Sequence, residues 1–127
     1  MEMFRVLMVG LGGFAGSICR YIATGFVQRL FSDPFFPYGT LVVNVAGCLF
    51  IGFLGGLSET RQIFSPEIRA FILIGFLGGF TTFSTFGYEI FTIARDGQFA
   101  AALTNLVLHL ILGFTAVWTG FSISRVL

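Results

Sequence analysis

Gly78-Gly79-Phe80-Thr81-Thr82-Phe83-Ser84-Thr85-Phe86 lies in the middle of an apolar segment that otherwise reads as an uninterrupted membrane-spanning helix. The nine residues hold two Gly, three Phe and four hydroxyl side chains. Glycine weakens a helix interior, and hydroxyls can satisfy backbone groups that a break sets free. The pattern predicts a helix broken at Gly78-Gly79 inside the membrane, with the break as the working site. A Gly-Gly pair that merely packs against another helix is the competing reading. Phe80, Phe83 and Phe86 recur every third position and are expected on one face.

The surrounding composition sets the class. The 127 residues are 56% hydrophobic and 10% charged, far below the roughly 25% charge of soluble domains. Apolar stretches of about 20 residues recur, each long enough for a hydrocarbon core about 30 Å thick. An all-α membrane protein of one domain, residues 1–127, follows, with helices over about 4–28, 38–57, 66–94 and 98–124. Val6 to Ala15 could serve as a short signal sequence, but the apolar run resumes beyond Arg20, so a retained first helix is expected. A formal charge of +1 offers no basic surface for nucleic acid. Cys19 and Cys48 fall in apolar segments without metal-ligand spacing and read as buried free thiols. No nucleophile–base pair or metal cluster points to an enzyme.

Polar residues inside the spans carry the remaining signal. Arg20 sits well within the first span, and reads as an arginine snorkelling to the interface or as a vestibule charge that attracts anions, two readings that are compatible if the side chain points inward. Gly12 and Gly16 stand at the spacing that admits a close helix neighbour. Thr40 and Asn44 share one face of the second span, and Asn105 and His109 one face of the fourth, both at i, i+4. Asn44 reads equally as interhelical glue or as an amide along a polar track. His109 is either a neutral imidazole bonded between helices or a track residue that turns cationic in acid. Ser65-Pro66-Glu67 is a helix start. Glu89, one turn beyond Phe86, is expected near the interface or against an Arg.

Arginine placement is nearly symmetric. Arg5, Arg61, Arg69 and Arg125 fall on one side, against Arg29 and Arg95 with Arg20 close to them. So weak a bias permits insertion both ways and an antiparallel homodimer. Across such a pair, carbonyls at the break could converge on a small hard cation such as Na+. Phe ring edges, which are electropositive, could hold a small dehydrated anion without trapping it.

The nine-residue stretch resembles the signature of the Fluc (CrcB) fluoride channels. Gly12-Gly13-Phe14-Ala15-Gly16 with Arg20-Tyr21, Gly39-Thr40-Leu41 with Val43-Asn44 and Gly47, and Gly113 with Ala116-Val117-Trp118 agree in order. The resemblance implies a dual-topology, antiparallel homodimer with two fluoride pores, in the inner (cytoplasmic) membrane of a bacterial cell. By the family pattern Phe83 and Phe86 supply ring edges, Asn44 the pore amide and Thr40 part of the polar track. Carbonyls of Gly78 and Thr81 cage a structural Na+, and Arg20 is the vestibule arginine. Asn105 stands where a Tyr can occur, His109 where a Ser can occur, and Gly113 where a further hydroxyl can occur. Competing readings are a fluoride/proton antiporter, a small four-helix multidrug exporter, and a structural subunit of a larger complex.

Overall fold

A computed structural model describes all residues 1–127. It is entirely helical apart from its turns: α1 (Glu2–Leu30), α2 (Tyr38–Arg61), α3 (Pro66–Arg69), a π-helical segment (Ala70–Phe76), α4 (Leu77–Phe80), α5 (Phe83–Arg95) and α6 (Phe99–Val126). The pieces from α3 to α5 form one span, so four helical segments are long and apolar enough to cross a membrane.

The ends of the third span follow local chemistry. Ser65 is the N-cap of α3, its hydroxyl accepting from Ile68 N–H at 3.3 Å, with Pro66 in the first turn. At the other end Gly97 takes φ 83°. Gly97 N–H donates to the Ala94 carbonyl and Gln98 N–H to that of Ile93, the paired bonds of a Schellman stop.

Packing runs through glycine. A Cβ at Gly12 would collide with the Phe71 carbonyl, and one at Gly16 with the Phe76 carbonyl. Gly75 and Gly79 meet Val9 and Gly13 in return, so α1 lies backbone to backbone on the first half of the third span. On the other side Gly52 abuts the Val117 carbonyl and Gly120 that of Leu49. Cys48 faces Gly113, Gly52 faces Val117 and Gly56 faces Phe121. The steady offset shows that α2 and α6 run parallel, as the second and fourth passes of an up-and-down chain must.

The break in the third span is real but displaced. Gly78 and Gly79 are helical; the residues that leave the helix are Thr81 (φ −87°, ψ 158°) and Thr82 (φ −152°, ψ 114°). Gly79 is spent on the approach to Gly13, while Gly78 has open space beside it. The expected single face of three phenyl rings is corrected too, because the break falls between them. Phe80 stacks with Phe76 at 6.1 Å, while Phe83 pairs with Phe86 at 5.7 Å and a 57° tilt. Cys19 is exposed rather than buried, and Cys48 is half-buried.

Candidate functional site

The break is held open by a residue 38 positions away in sequence. Thr82 N–H donates to Asn44 Oδ1 at 2.8 Å, and Asn44 Nδ2 donates to the Thr82 carbonyl at 3.0 Å. A side-chain amide thus pairs with a backbone unit as a neighbouring strand would. In an unbroken helix the Thr82 N–H would reach back to the Gly78 carbonyl; its capture by Asn44 leaves that carbonyl free. Beyond the break Thr82 also serves as the N-cap of α5, its hydroxyl accepting from Thr85 N–H at 3.3 Å.

The second N–H of Asn44 points to His109 Nε2 at 3.2 Å, and His109 Nδ1 lies 3.1 Å from the Asn105 carbonyl. The His109 ring also packs on Phe86, with centroids 4.1 Å apart. Asn44, Phe86 and His109 therefore form one cluster around Thr82. Both N–H groups of Asn44 are occupied within the chain, so the interhelical reading of this amide describes its contacts here. Phe86 is buried and Phe83 is 83% exposed: the two rings present one enclosed and one open surface at the start of α5.

Arg20 is turned inward. Its Nη1 donates to the Thr81 carbonyl at 3.2 Å, capping the last turn before the break as cations at helix C-termini do. It lines a cavity of about 790 Å³ with Arg29, Thr40, Thr82 and Thr85. A second cavity, about 420 Å³, lies against Asn44, Thr82, Phe83, Phe86 and His109. Thr82 borders both, so an arginine-lined vestibule and an aromatic pocket meet at the broken backbone.

Thr40 has a partner the sequence did not announce. Its hydroxyl donates to Glu89 Oε1 at 2.5 Å, and Glu89 Oε2 is buried without a partner. No Arg lies within ion-pair distance of Glu89, which corrects the expectation of an Arg-paired acid. Asn105 is fully buried, and neither atom of its amide finds a partner. It touches the cluster through its carbonyl, and its side chain borders neither cavity.

Gly78 and Thr81 can be judged as cation ligands on their backbone alone. One carbonyl has lost its helical donor, and the other already accepts from a cation, the Arg20 guanidinium. Neutral carbonyl oxygens are hard ligands suited to a hard cation, so the residues present fit such an ion. Arg29 was missed as a site residue, while Thr82 was expected among the hydroxyls that satisfy freed backbone groups, as its bond from Thr85 N–H does. A Thr three residues before Thr85 is a legible N-cap, whereas Arg29 falls on the vestibule only through the fold.

These features define a multi-pass membrane protein with a broken helix between a cationic vestibule and an aromatic pocket. Residues 7–121 match the family model described as "CrcB-like protein, Camphor Resistance (CrcB)". The chain is 43% identical over 125 residues to the fluoride-specific ion channel FluC of Maridesulfovibrio salexigens, covering 98% of each. It is 45% identical over 117 residues to the protein of the same name from Chlorobium luteolum, covering 91% of this chain and 88% of the relative. The chain belongs to the CrcB family.

Proposed function

We propose that this chain is the subunit of a passive fluoride channel. The observation that carries the reading is the meeting of the two cavities at Thr82, flanked by Arg20 on one side and the Phe83–Phe86 pair on the other. Two arginines raise the local anion concentration in the vestibule. The Thr85 hydroxyl, which accepts from that of Thr82 at 3.0 Å, then offers a donor to a fluoride leaving water. The electropositive ring edges of Phe83 and Phe86 give a small anion a weak, releasable site, and conduction needs weak sites. Thr40 belongs to the same track. Asn44 borders the path and fixes its backbone, with His109 and Asn105 behind it.

The working unit is an antiparallel homodimer with two such paths, each chain acting as one channel domain. An exposed Phe83, open space at Gly78 and the balanced arginines support a second copy seated at the break. There Gly78 and Thr81 carbonyls of both copies would hold a Na+, which supplies positive charge to carbonyl dipoles that would otherwise repel. The compartment is the cytoplasmic membrane of a bacterial cell, and the route leads cytoplasmic fluoride out.

Glu89 favours a second reading. A half-buried acid bonded to Thr40, which lines the vestibule, is what a fluoride/proton antiporter or a proton-coupled drug exporter needs. Fluoride efflux from proteoliposomes under a K+ gradient with a K+ ionophore separates these. Rapid fluoride release with little chloride release and no need for a proton gradient supports the channel. Release that requires a proton gradient overturns it in favour of the antiporter.

A further inference from the structure

His109 has its hydrogen-bonding role fixed by a chain of contacts that begins at the backbone. Thr82 N–H can only donate, so the Asn44 atom it meets at 2.8 Å is the amide oxygen. The other atom of that amide is then NH2, donating once to the Thr82 carbonyl at 3.0 Å and once toward His109 Nε2 at 3.2 Å. Nε2 must accept. On the other side of the ring Nδ1 meets the Asn105 carbonyl at 3.1 Å, and a carbonyl can only accept. Nδ1 must donate. One neutral tautomer, protonated on Nδ1, satisfies every atom in the series, and an imidazolium does not: its Nε2–H would confront the Asn44 NH2.

We infer that His109 is a positioning residue for conduction: as a neutral acceptor it holds the Asn44 amide on Thr82 and backs the Phe86 ring, and so keeps the helix break open. The assignment goes beyond the proposed function and rests on it for the word conduction. The ring contacts Asn44 from α2, Phe86 from α5 and the Asn105 carbonyl of its own helix, and the cavity it lines is shared with Cys48 from α2 and Thr81 and Thr82 from the break. No charged side chain lines the shared cavity; the nearest acid on α5, Glu89, is bonded to Thr40. Nothing in that shell rescues the contact when Nε2 gains a proton. The sign follows: the clamp is complete while His109 is neutral and is lost when acid protonates the ring.

Three variants and one spectrum test this. Wild-type fluoride flux, measured above that of protein-free liposomes, is expected to fall roughly tenfold when a buried donor loses its acceptor in acid. His109→Gln, whose amide oxygen can accept, should keep flux near neutrality and flatten the pH profile. His109→Phe, with similar bulk and no acceptor, should lower flux by a similar factor at every pH. His109→Ser shows whether a short hydroxyl can replace the acceptor, and flux at or below the Phe level supports the clamp. His109 is the only histidine in the chain, so 15N spectra of the labelled protein in lipid report its tautomer without interference. A neutral ring protonated on Nδ1 is expected. A ring protonated on Nε2, or a pH profile identical in wild type and His109→Gln, overturns the inference. A correct tautomer in a protein that carries no fluoride would instead refute the proposed function and leave the clamp in place.

Discussion

Replacing Asn44 is the perturbation that bears most directly on the break. Asn44→Ala removes three contacts together: the acceptor for Thr82 N–H at 2.8 Å, the donor to its carbonyl at 3.0 Å and the donor to His109 at 3.2 Å. Interhelical side-chain hydrogen bonds in membranes average about 0.6 kcal/mol and reach about 1.7. A buried group left without any partner costs about 1–3 kcal/mol. The Thr82 N–H and carbonyl have no other partner, so the upper part of both ranges applies to them. Taking about 1.7 kcal/mol for each Thr82 contact and about 0.6 for the one to His109, the three come to about 4 kcal/mol, near a thousandfold in the folded population. Unfolding followed by circular dichroism in detergent, alongside fluoride efflux, measures both consequences. Asn44→Asp separates the parts: it keeps an acceptor for Thr82 N–H, loses both donors, and should fall between wild type and Asn44→Ala in stability. An Asn44→Ala protein within about 0.5 kcal/mol of wild type, the usual span of a neutral surface change, with unaltered flux, would show that the amide neither clamps the break nor borders the path.

Phe83→Ile and Phe86→Ile should both abolish most fluoride flux. Only Phe86→Ile should also lower the stability of the single chain, because Phe86 is 7% exposed and Phe83 83%; efflux and thermal unfolding read the two effects separately. Gly12→Ala should destabilise by about 1–3 kcal/mol through overpacking, since its Cβ meets Phe71 and Phe76 backbone. Gly10→Ala, with nothing within 4 Å of the new Cβ, should stabilise by about 0.5–1 kcal/mol as an ordinary helical substitution. Chemical unfolding of the pair in one detergent tests the sign. Replacing Na+ by a bulky organic cation should lower the thermal stability of the dimer while leaving that of the monomer unchanged; equal effects on both would count against the carbonyl cage. Arg20→Gln should weaken fluoride flux and make it less sensitive to ionic strength, because a vestibule charge acts through a screened field.

The four spans were legible because length and lack of charge alone define them, and the start of the third because Ser65-Pro66-Glu67 is a local signal. The break was legible to within three residues and no closer. Gly78-Gly79 offered the weak helix, but the close approach of α1 used Gly79, and the departure fell where Asn44 could take over the Thr82 N–H. That decision belongs to a partner on another helix, which no local reading contains. The pairs Thr40 with Asn44 and Asn105 with His109 were each visible as one helix face. Their meeting was not, because it depends on the parallel register of α2 and α6 set by Gly52, Gly56 and Gly120. Glu89 was misread for the same reason: its partner Thr40 lies 49 residues away. The π-helical turn over Ala70–Phe76 has no counterpart in the residue pattern.

The central claim is that the path past Thr82, Phe83 and Phe86 passes fluoride passively and rejects chloride. The reversal potential of the purified protein in a planar bilayer tests it most directly, with a tenfold fluoride gradient and symmetric chloride. A passive fluoride conductor reverses near the fluoride potential, about 59 mV for a monovalent ion, whatever the pH on either side. Reversal near zero, set by chloride, or a potential that follows an imposed pH gradient, would contradict the account.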